Sequence, residues 1–121
     1  MPRAPKHDIV IYRNGTFELD LTYQDSDGCA IDLSSGYTCQ IEGRETLDGS
    51  SKFEFESTNN TSNVILSGAT PNIKIKMSAS DTGAITAGKG VYDVKLIHSG
   101  STVFLIEGDY EAVEPVSRTA I

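Results

Sequence analysis

The segment Gly88-Lys-Gly-Val-Tyr-Asp-Val-Lys-Leu-Ile-His-Ser-Gly-Ser-Thr-Val-Phe-Leu-Ile-Glu-Gly-Asp109 reads as a single β-hairpin. Tyr92, Val94 and Leu96 alternate with Val91, Asp93, Lys95 and Ile97, which places the first three on one face of a strand. Ser99-Gly100-Ser101 supplies the turn, with Gly100 free to take positive φ. Thr102 to Ile106 returns as a run of β-branched and aromatic residues. An isolated hairpin is marginal in water, so this one requires a second sheet over its apolar face.

The rest of the chain supplies that sheet. Strands are predicted at 8–13, 16–23, 37–44, 52–56, 64–66 and 73–77. In the second, Phe17, Leu19, Leu21 and Tyr23 share one face, and Glu18, Asp20 and Thr22 the other. Asn14-Gly15 reads as a hairpin-type turn between the first two strands. Ser78 to Ile85 is the one helical candidate, about two turns behind a serine cap and weakened by Gly83. Short strands separated by turn signals predict an all-β antiparallel sandwich. Its expected extent is 8–110, with an extended arm over 1–7 and an extended segment over 111–121.

A chain of 121 residues suits one domain, and 38% hydrophobic residues in patterned clusters suit two thin layers. Ten basic against 17 acidic residues give a net charge of −7, with the cations spread singly. No footprint for a phosphate backbone results, so nucleic acid is not an expected partner. Nor is a membrane, because no apolar run is long enough to span one. The polar start, Met-Pro-Arg-Ala-Pro-Lys, has no apolar core of a signal peptide, so a soluble protein made in a cytosol is expected. Cys29 and Cys39 are then expected to be free thiols. Arg3, Lys6 and Arg13 make the N-terminus locally basic.

The motifs with chemical potential give way on inspection. Gly83-Ala-Ile-Thr-Ala-Gly88-Lys89 has the spacing of a phosphate loop but continues with Gly90 in place of Ser or Thr, and then with a strand. Asp25-Ser-Asp27-Gly28 has part of a calcium loop without its first and closing ligands. His7 and His98 have no nucleophile or carboxylate constellation, and Glu54/Glu56 and Glu18/Asp20 alternate outward on strands. No catalytic, cofactor or metal residues are expected.

Three blocks, in order, carry a resemblance. They are Gly15-Thr-Phe-Glu-Leu-Asp-Leu-Thr-Tyr-Gln-Asp-Ser-Asp-Gly28 with Ile31-Asp-Leu33 and Gly36-Tyr-Thr38, then Gly90-Val-Tyr-Asp-Val-Lys-Leu96 with Val103-Phe-Leu-Ile-Glu-Gly108, then Val113-Glu-Pro-Val-Ser-Arg118. Together they resemble small structural proteins of tailed bacteriophages and prophages, similar to the N-terminal domain of baseplate upper proteins. The resemblance implies an immunoglobulin-like sandwich that docks other phage structural proteins in the tail or baseplate as a symmetric homo-oligomer. It also implies a virion protein assembled in the host bacterial cytoplasm. A capsid decoration protein and a receptor- or carbohydrate-binding module are the alternatives. Arg3 and Lys6 in the arm, and Glu114, Val116 and Arg118 in the tail, are the expected docking residues.

Overall fold

A computed structural model describes residues 4–115. Eight strands and one short helix follow in order: β1 (Ile9–Tyr12), β2 (Phe17–Leu21), β3 (Tyr37–Arg44), β4 (Ser51–Glu56), β5 (Val64–Leu66), β6 (Ile73–Met77), α1 (Ala79–Gly83), β7 (Gly88–His98) and β8 (Ser101–Val113). A five-stranded sheet in the order β1-β8-β7-β3-β4 faces a three-stranded sheet in the order β2-β6-β5. With β2, β6 and β5 read as strands B, E and D, and β8, β7, β3 and β4 as G, F, C and C′, this is an immunoglobulin-like sandwich. The strand order alone fixes that assignment.

The expected hairpin forms over β7 and β8, with Gly88 opposite Ala112 at one end and His98 opposite Ser101 at the other. Its turn takes φ of 48° at Ser99 and 83° at Gly100, the pair of positive values that matches strand twist in a two-residue turn. Tyr92, Val94 and Leu96 are buried, and they meet Ile41, Ile73, Ile75 and Met77 in one continuous core. Each such aliphatic side chain taken from water contributes about 1.5–3 kcal/mol. Polar termini hold the ends: Ser78 caps α1 through a capping box with Asp81, and Tyr37 stacks on His98 with ring centroids 4.2 Å apart.

Three expectations need correction. Asn14-Gly15 does turn the chain, with φ of 65° at Asn14, but it joins strands of different sheets and not a hairpin. β1 instead runs parallel to β8, Ile9 opposite Tyr110 and Tyr12 opposite Val113. The arm is correspondingly not separate from the domain where it is described. His7 N–H donates to the Glu107 carbonyl at 2.8 Å, Glu107 N–H donates to the Pro5 carbonyl at 3.1 Å, and the Tyr92 hydroxyl donates to the His7 carbonyl. Gly108 makes room for this crossing, since a Cβ there would lie 2.5 Å from the His7 carbonyl oxygen. At the other end β8 continues to Val113, three residues past the expected limit of 110.

One buried polar side chain stitches the small sheet to the loop that follows β2. Asn72 is fully buried; its Oδ1 accepts from Tyr23 N–H at 2.8 Å, and its Nδ2 donates to the carbonyls of Tyr23 at 2.9 Å and Ile31 at 2.8 Å. Asn72→Ala strands Tyr23 N–H and the Ile31 carbonyl, while the Tyr23 carbonyl keeps the bond from Ile31 N–H at 3.0 Å. We expect a loss of about 3 kcal/mol, read as a lower urea midpoint at unchanged slope. The thiols give a second test. Cys39 is buried and pushed up to about 12 by that burial, whereas Cys29 is exposed. A thiol reagent at neutral pH should modify Cys29 alone in the native protein and both cysteines after unfolding.

Candidate functional site

Because Tyr92, Val94 and Leu96 point into the core, the alternate residues of β7 point out, and with them those of β3, β4 and β8. Cross-strand register then sets Glu54, Glu42, Asp93 and Glu107 in one row across four adjacent strands. Like charges directly opposite one another destabilise the pairing. Arg44 offsets part of this from 3.2 Å to Glu42. Asp93 sits at the centre, and its carboxyl lies above the ordinary value of 3.8. Burial is the main cause; Glu42 and Glu107 add to it, and Lys95 and Arg44 oppose it.

Beside this row the sheet carries a shallow groove of about 850 Å³, lined among others by Lys6, Arg44, Leu47, Val91, Phe104 and Asp109. Leu47 and Phe104 are 83% and 51% exposed, so the groove has apolar lips over a charged floor. Phe104 owes its position to a β-bulge. Val94 pairs with Ile106 but Lys95 with Phe104, which leaves Leu105 as the extra residue and turns Phe104 to the outer face. A second, apolar cleft of about 310 Å³ opens between the sheets, where Leu21, Tyr23 and Ile73 approach Leu105 and Ile106.

The expected docking residues divide. Lys6 lines the groove, 68% exposed at its side chain and 3.9 Å from Asp109. Glu114 is instead paired with Arg13, whose guanidinium also donates to the carbonyls of Ile85 at 2.7 Å and Gly83 at 2.8 Å. Arg13 is therefore a clamp between β1, the end of α1 and the segment after β8. Arg3, Val116 and Arg118 lie outside the described residues. The outer-face residues Phe104, Leu47 and Asp93 had no signal of their own in sequence.

The remaining motifs are accounted for by local structure. Asp25 Oδ1 accepts from the N–H groups of Asp27 at 2.9 Å and Cys29 at 3.0 Å, so this carboxylate closes its own turn. Gly83 ends α1 and Gly88 begins β7, which makes the glycine-rich stretch a helix-to-strand connection. Among the described residues no three His, Cys, Asp or Glu side chains gather as a metal site. No described helix is long and apolar enough to cross a membrane.

No protein-family model matches the chain, and no curated protein matches it. A solved structure of murine CRIg aligns over 93% of this chain and 96% of its own, at 12% identity and a TM-score of 0.44.

The raised carboxyl of Asp93 has a definite pH signature. The folded state binds this proton more readily than the unfolded state, so ionised Asp93 destabilises the fold at neutral pH. That penalty disappears as pH falls through the folded-state value toward 3.8. Asp93→Asn should accordingly raise the melting temperature at neutral pH, with a gain over wild type that shrinks on acidification. A gain that grows with acid would contradict the assignment.

Proposed function

We propose that the protein is a non-enzymatic structural component of a tailed-phage virion, placed in the tail or baseplate region. It works as an assembly or adaptor module that docks other phage structural proteins, in a symmetric homo-oligomer assembled in the host bacterial cytoplasm. The sequence blocks from Gly15 to Arg118 support the virion part of this reading by their resemblance. The docking part is carried by one observation: a bulge in β8 holds Phe104 half out of water at the lip of an outer-face groove. Aromatic side chains in such positions are common anchors of protein interfaces. Repetition around an axis then lets modest single contacts give a stable assembly.

A glycan-binding module is the second reading. It is favoured by the exposed ring of Phe104 in the same groove as Glu42, Asp93 and Asp109. Saturable glycan-array binding by the isolated protein, lost in Phe104→Asp, would replace the docking reading with this one.

Phe104→Asp also tests docking directly. Phe104 is half-exposed, so the variant's folding is first checked by its urea midpoint. Incorporation into purified particles, counted by quantitative mass spectrometry, should fall several-fold. Full incorporation of the folded variant would remove the groove from the assembly contacts.

A further inference from the structure

Sandwiches of this class carry four strands on the sheet that contains B, E and D. Among the described residues that sheet has three, and β1 lies instead in the opposite sheet, parallel to β8. Among the described residues β2 pairs only with β6, so its other edge has no strand beside it. We propose that this open edge of β2 docks an extended strand of a partner protein, apolar at alternate positions and cationic between them.

The side chains of β2 carry the consequence of the missing neighbour. Phe17, Leu19 and Leu21 point inward but are only half-buried, whereas Met77, Ile75 and Ile73, directly opposite on β6, are 0–1% exposed. At the end of β2 lies the apolar cleft formed by Leu21, Tyr23, Ile73, Leu105 and Ile106. An added strand would supply both the absent backbone partners and an apolar side chain for that cleft. In strand addition the main chain gives affinity, and pockets for alternate side chains give specificity.

The occupied edge of β2 shows which chemistry suits it. Ile73-Lys-Ile-Lys-Met77 places Lys76 opposite Glu18 and Lys74 opposite Asp20, with its apolar residues inward. Glu18 and Asp20 are exposed, and a strand on the far side stands in the same rows. Lysine or arginine at its outward positions meets these carboxylates from the other flank. The same two carboxylates argue against a second copy of β2 as the occupant. An antiparallel β2–β2 pair centred on Leu19 would set Glu18 against Asp20 twice, a like-charge contact.

This inference rests on the docking reading above and adds the edge and the partner's chemistry to it. The test uses the full chain and a labelled synthetic heptapeptide alternating valine with lysine, with glutamate in place of lysine as the control. Fluorescence anisotropy should show saturable binding of the lysine peptide only, and amide NMR shifts should concentrate on Phe17 to Tyr23. Lysines set against the lysines of the peptide repel them, so E18K/D20K should weaken binding by about tenfold or more. E18Q/D20N should fall between, and it decides the question if the charge-reversed variant does not fold. Absence of saturable binding, equal affinity of both variants and wild type, or shifts centred on the large sheet would overturn the proposal. Particles in which the chain contacts neighbours only through its large sheet would defeat this edge and leave docking intact. Particles that lack the chain would defeat docking itself.

Discussion

The backbone ladder of β8 is the constraint on which the rest of the structure depends. Along one side it pairs with β7 from Ser101 to Ala112, and along the other it takes the incoming chain at Lys6 and then β1. Main-chain groups left unpaired in a sheet interior are costly, so the parallel partnership with β1 satisfies an edge that would otherwise face water. It has a cost elsewhere. A first strand committed to β8 is not available to β2, and among the described residues the small sheet has three strands. The half-buried apolar row of β2 follows from that choice.

The sequence made the sandwich legible where its alternation was strict. Tyr92, Val94 and Leu96, Cys39 and Ile41, and Ile73, Ile75 and Met77 all lie on the buried faces that a period of two assigns them. Two features escaped this reading for physical reasons. Val103-Phe-Leu-Ile106 is a continuous apolar run, and such a run contains no period from which to assign faces. The bulge at Leu105 then determines that Phe104 points outward, a backbone detail without a glycine to announce it. Parallel pairing of β1 escaped because Asn14-Gly15 is good chemistry for a tight turn whichever sheet the next strand joins. Turn residues fix local φ, not the partner of the strand they precede.

The outer face of the large sheet illustrates how a site arises from register. Glu54, Glu42, Asp93 and Glu107 each look like an ordinary solvated carboxylate on its own strand, and only pairing brings them into one row. Under the docking proposal, desolvation by a complementary partner would turn their mutual repulsion and the half-exposed Phe104 into specificity. Arg13 and Glu114 show the reverse case. Glu114, expected to dock from the tail, is tied by Arg13 into a clamp that holds β1, α1 and the end of β8 together.

The docking we propose runs through the outer-face groove and the open edge of β2. Hydrogen–deuterium exchange measured on the free chain and on the same chain in purified particles tests this most directly. Under that proposal assembly slows exchange at Phe17–Leu21 and around Phe104, while β3 and the Tyr92–Leu96 stretch of β7, protected already, stay unchanged. Identical exchange in both regions, free and assembled, would contradict it.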